Sequence, residues 1–166
     1  MLQQLLPKIL PPDVAYVTIP HDGKSDLQKS IPHKLAGWNI PDSKFINVHD
    51  QDSSDCIELK NRLSELCVKR SEDVLIRIAC HEMESWYFGD LEAVSKAYGK
   101  DLTKYANKSK YRITDEIVNP KQELRALIPE HEQLSGADKI GQNMDIENNK
   151  SHSFKVLFEG IRKMVG

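Results

Sequence analysis

Three aspartates, Asp50, Asp52 and Asp55, crowd into the stretch FINVHDQDSSDC (45–56), directly after a short apolar run. Like charges at that density repel one another, so the cluster needs either open water or a bound cation. Carboxylate oxygens suit Mg²⁺ or Mn²⁺. An Asp-x-Asp spacing on extended backbone points both side chains to one side, which lets Asp50 and Asp52 reach one ion, or an ion and its water. The plainer alternative is that aspartates favour strand ends, turns and helix caps. A second acidic pair, Glu82 and Glu84 in CHEMESWYFGD, follows another apolar run. At i and i+2 these two share a face only if the chain there is still extended. Trp86, Tyr87 and Phe88 beside them read as core.

Other chemistries find weaker support. HDGKSDL holds a single glycine before Lys24 and is not a P-loop. It reads as a turn with a helix capped by Ser25 or Asp26, or as a place where Lys24 meets a phosphate at a helix N-terminus. Ser135, Gly136 and Lys139 cluster in QLSGADKIG, and Ser151 and Ser153 stand at a helix entrance in ENNKSHSFKV. Lys24, Lys139, Ser151 and Ser153 are therefore the candidate phosphate contacts. The residue four after His81 is Ser85, so no H-E-x-x-H zinc motif is present. No Gly-x-Ser-x-Gly nucleophile motif occurs either.

These groups need a scaffold that gathers them. VAYVTI (14–19), FINVHD (45–50) and DVLIRIAC (73–80) read as strands. Between and around them, 2–10, 24–38, 53–69 and 81–99 carry helical spacing, with Pro32 expected to split the second and Ser53 or Ser54 to cap the third. Alternating strands and helices predict an α/β fold with a parallel sheet flanked by helices. In such sheets sites form beyond the carboxyl ends of the strands. There the sequence places His21, Asp22 and Lys24, then His49, Asp50 and Asp52, then His81, Glu82 and Glu84. Residues 101–166 read as a mainly helical cap on a core of 1–100, the whole being one domain. DLTKYANKSKYRITD, in the cap, reads as a basic, polar loop.

The bulk properties narrow the class. The chain has 166 residues, a net charge of −2 and three cysteines. That excludes a polybasic clamp over the whole surface, an acidic tail and a disulfide framework. Cys56 and Cys80 fall in apolar patterns and read as small core residues. No run is long enough to span a membrane and the N-terminus lacks a basic leader, so a cytoplasmic setting is expected.

The blocks HDGKSDL, DQDSSDCIELK, VLIRIACHEMESWYFGDLEAV, SGADKI and NNKSHSF, in that order, resemble the bacterial domain-of-unknown-function family 4276. That family is in turn similar to the TOPRIM fold of topoisomerases, primases and OLD-type nucleases. The resemblance implies a TOPRIM-like, Mg²⁺-dependent domain cutting phosphodiesters in nucleic acid, in a defence or mobile-element setting. Asp50 and Asp52 take the Asp-x-Asp positions, and Glu82 and Glu84 match the acidic block, with Trp86 and Asp90 as companions. The implied catalytic set is Asp50, Asp52, Glu82 and Glu84, with Asp50, Asp52 and Glu84 on the metal. Members of the family usually open with a strand bearing Val-Glu-Glu. Here that first strand and its glutamate are not found, so sheet edges are expected to be free for pairing, including with a second copy. Two alternatives follow: a non-catalytic partner module of an ATPase encoded nearby, and a small-molecule phosphohydrolase.

Overall fold

A computed structural model describes residues 1–166. The sheet has two strands, β1 (Phe45–Asp50) and β2 (Val74–Ala79), which run parallel from the Phe45–Val74 pair to the Asp50–Ala79 pair. The crossover between them is α3 (Cys56–Leu66), and α2 (Lys24–Gly37) precedes β1. The chain begins with the short α1 (Leu2–Leu5). After β2 come α4 (Glu84–Phe88), α5 (Leu91–Tyr98), α6 (Pro120–Leu127), α7 (Gln133–Asn143) and α8 (His152–Val165). The fold is α/β, a small parallel sheet flanked by helices. No helix is long and apolar enough to cross a membrane.

Strand periodicity sorts the side chains. Phe45, Val74, Ile76 and Ile78 face a small core with Ile31 and Leu35 of α2 and Leu59 and Leu63 of α3. Ile46, Val48, Leu75 and Ala79 face a larger core built around Trp86, Leu124, Ile140, Phe154 and Leu157. Asp50 shares the parity of Ile46 and Val48, so it points to the larger core's side. His49 points the other way and meets Gln28 of α2 at 3.0 Å. The larger core takes residues from both halves of the chain, and α8 packs directly on β2. Its Gly160 makes that approach possible: a Cβ there would lie 2.6 Å from Arg77 Nη2.

Four expectations are corrected. Residues 14–19 form no strand, and Tyr16, Val17 and Ile19 are exposed. β-branched composition makes a strand only where a neighbour completes the ladder, and no strand pairs with this segment. Pro32 lies inside a continuous α2, where it withholds one helix N–H bond and crowds the carbonyl one turn before it. The cap of α3 is Asp55, whose Oδ1 accepts from the Ile57 and Glu58 amides at 2.9 Å, rather than Ser53 or Ser54. Cys56 at that helix start is exposed; the buried cysteine is Cys67.

Candidate functional site

The turns after β1 and β2 are zipped together. Gln51 N donates to Ala79 O at 2.9 Å, Asp52 N to His81 O at 2.7 Å, and His81 N to Gln51 Oε1 at 3.3 Å. Asp52 and His81 each adopt a left-handed backbone, with φ of 52° and 57°. Asp and His tolerate that region better than most residues, but it still costs of order 1 kcal/mol apiece. Strain of this kind collects where side chains must be re-aimed.

That re-aiming separates the aspartates. Asp50 ends β1 and accepts the Met83 amide at 2.9 Å, just before α4. Asp52, turned away by its own backbone, pairs with Lys24 Nζ at 2.9 Å. Asp55 caps α3. The two glutamates separate as well. Glu82 Oε2 accepts the Lys121 amide at 3.1 Å and so ties down the first turn of α6. Glu84, in the first turn of α4, is buried. The expected trio of Asp50, Asp52 and Glu84 is thus not assembled, and no three His, Cys, Asp or Glu side chains are gathered as metal ligands.

Asp50 and Glu84 remain as the inward pair. Burial first and then the nearby Glu84 charge raise the Asp50 carboxyl, against the opposing Met83 amide, to about 7 in all. Asp52 and Glu82 add smaller pushes in the same direction. Burial likewise holds Glu84 above the usual carboxylate range. Burial makes the Tyr87 hydroxyl less acidic, and the Glu84 and Asp50 charges act in the same direction. On the other side, Lys121 and Arg125 of α6 act on Glu84 as favourable positive charges. Both were missed in the sequence. Their i, i+4 spacing sets them on one helix face, but only the Glu82–Lys121 bond shows which turn that face adjoins.

The remaining candidates have other partners. Ser151 Oγ donates to Asp115 Oδ1 at 2.6 Å, and Asp115 Oδ2 accepts the Ser153 amide at 2.7 Å. A phosphate at the start of α8 would have to displace that carboxylate. Ser153 Oγ also accepts Trp86 Nε1–H at 2.8 Å, and Trp86 is fully buried with Tyr87 and Phe88 in the core. Lys139 is exposed on α7 and makes no ion pair with the acidic turn. Asp90 caps α5 through the Ala93 amide at 3.0 Å and accepts the Asp145 amide at 2.8 Å. His49 Nδ1–H donates to its neighbour's carbonyl, Asp50 O, at 2.6 Å, and His21 bonds Asp26 at 2.8 Å. The strand-end histidines do not converge.

Two carboxylates, Glu84 buried and Asp50 half-buried, with the charges of Lys121 and Arg125 felt at Glu84, fit Mg²⁺ by donor chemistry, since this ion takes one or two carboxylates and keeps several waters. Asp50 and Glu84 are the pair that would hold it. Among known proteins, the family described as Domain of unknown function (DUF4276) matches residues 1–162. No curated protein and no solved structure matches the chain.

Proposed function

From a chain that belongs to the domain-of-unknown-function family DUF4276, we propose a Mg²⁺-dependent domain of TOPRIM-like build that hydrolyses phosphodiesters in nucleic acid. The observation that carries this reading is the inward pair itself: Asp50, half-buried, and Glu84, buried, come from two segments to one sheet edge, each with a raised carboxyl pKa. Carboxyls shifted upward by burial and by a like charge are the kind of group that collects at functional sites. A dication bound there supplies charge for polarising a phosphoryl oxygen.

The chain's own residues do the rest. The Met83 amide fixes the Asp50 carboxyl in direction. Tyr87 and the surrounding core keep bulk water from the inner side of the pair. Lys121 and Arg125, on the outer side, supply the positive charge that a phosphate at the rim would meet. Lys24 stands at the same edge but is engaged by Asp52. Three free thiols agree with a cytoplasmic setting.

Cleavage of a labelled oligonucleotide with and without Mg²⁺ tests the reading. Activity should need the ion, fall at least a hundredfold in Asp50→Asn and Glu84→Gln, and fall about tenfold in Arg125→Ala. Equal cleavage by wild type and Asp50→Asn would overturn it.

A further inference from the structure

The segment the sequence marks as a basic loop is a fixed surface. Between Asp101 and Asp115 it carries Lys104, Lys108, Lys110 and Arg112 and no acidic residue, in a chain whose net charge is −2. All four cations are exposed. Short 3₁₀ turns at Thr103–Tyr105, Ser109–Tyr111 and Thr114–Glu116 shape it. Aromatic rings hold the cations in a row. Lys108 Nζ lies 4.3 Å from the centre of the Tyr105 ring and Lys104 Nζ 5.7 Å from it, and Lys110 Nζ lies 5.7 Å from that of Tyr111. Tyr105 meets Tyr111 edge-on at 6.1 Å.

Two tethers tie this row to the acidic turn. Tyr111 stacks on Phe88 at 5.0 Å, and Phe88 ends the helix that Glu84 begins. Tyr111 also donates to Glu123 of α6 at 2.9 Å, and the same helix is held by Glu82 through the Lys121 amide. Next to the row opens a cavity of about 540 Å³, walled by Ile113, Val118, Arg112 and Asn119 and by the carboxylates of Glu116 and Glu123. Ile113 and Val118 are exposed there. Glu123 is bonded by Lys110 at 2.6 Å. Ile113, Ile117 and Val118 give the cavity an apolar side; Lys110 in its lining is neutralised by Glu123, which also takes the Tyr111 hydroxyl, and Glu116 is the carboxylate left to accept a donor. It suits a nucleobase, which offers a flat apolar face and amino N–H donors.

We propose that Lys104, Lys108, Lys110 and Arg112 form the binding track for a single-stranded nucleic acid, with phosphates on the cations and an unstacked base in the adjoining cavity. Single strands are bound by charge on the backbone and an apolar surface for the base; here the Tyr105 and Tyr111 rings serve the lysines and Phe88, and Ile113 and Val118 of the cavity offer the base its apolar contact. A duplex keeps its bases stacked inside and cannot fill the cavity. The proposal rests on the phosphodiester reading for the class of ligand, but the binding itself needs neither the dication nor Asp50.

The test is fluorescence anisotropy of a labelled 20-nucleotide mixed-sequence single strand in EDTA, from 50 to 200 mM NaCl. Wild type should bind with a log–log salt slope of about −3, since each neutralised phosphate of a single strand contributes about −0.7. Lys104→Glu/Lys108→Glu/Arg112→Glu should bind at least tenfold more weakly with a slope shallower by about 2, and the matching triple glutamine variant should fall between. Asp50→Asn and the control Lys60→Glu, on α3, should bind as wild type does. A matched duplex should bind at least fivefold more weakly than the single strand. Unchanged binding by the triple glutamate variant, or a duplex bound as tightly as the single strand, would overturn the proposal. Binding in EDTA without cleavage in Mg²⁺ would keep the track and remove the hydrolysis reading.

Discussion

At the scale of single residues, Asp50 has the most measurable behaviour. Its carboxyl sits near 7 in the folded chain against an ordinary value of 3.8. Between those two pH values the folded state holds a proton that the unfolded state has lost. Stability therefore falls as pH rises from about 4 to 7 and stays lower above that. Asp50→Asn keeps an acceptor for the Met83 amide and removes the charge. It should raise unfolding stability at pH 8 by about 1–4 kcal/mol, with one pKa unit corresponding to ~1.4 kcal/mol, and bring little gain at pH 4; thermal melts at the two pH values read this directly. Added Mg²⁺ should raise the melting temperature of wild type at pH 8 by mass action and leave that of Asp50→Asn unmoved. The sequence made Asp50 and Glu84 legible as acids at strand ends. It could not show that Asp52 would leave the group, because that depends on one left-handed residue and on Lys24, which is 28 positions away.

Among the elements, helix starts are held by side chains from distant parts of the chain. The start of α8 combines its own cap, Ser151, with Asp115, which binds two serine hydroxyls and the Ser153 amide. Asp115→Ala leaves those donors without their acceptor and should cost about 1–3 kcal/mol in chemical denaturation; Asp115→Asn should cost less. Gly89 is another junction. A Cβ there would fall 2.1 Å from Asn149 Oδ1 and 2.9 Å from the Ser151 amide, which the same asparagine bonds. By contrast, the 14–19 segment contributes no ladder. Val17→Ser and Ile19→Ser should change stability by less than about 0.5 kcal/mol, whereas a loss of 2 kcal/mol would mean that the segment is buried after all. β1, β2 and most helices were legible, since apolar runs ending in polar turns and helical spacing are local signals. The 14–19 reading failed because strand formation requires a neighbour, which composition does not encode.

For the whole molecule, the two faces of the sheet differ in depth. The larger core ties α1, α4–α8 and one sheet face together, whereas α2 and α3 close a smaller cluster on the other. A layer with fewer buried groups opens at lower free energy. Amide hydrogen exchange should therefore be faster in α2, which also lacks one internal bond at Pro32, than in the middle of α8. Equal protection in the two helices would contradict this layering. That the C-terminal helices share one core with the sheet was hidden in the sequence, where they read as a cap. Amphipathic spacing shows that a helix has an apolar face but not which face receives it.

The ion pair between Lys24 and Asp52 also sets how many carboxylates the sheet edge can present at one time. Acetylation of that lysine, or its mimic Lys24→Gln, would abolish the ammonium and release Asp52 from its only salt-bridge partner. Asp52 would then stand unneutralised at that edge, and a single covalent modification on an exposed side chain would shift the edge's appetite for dications without touching any residue that faces inward.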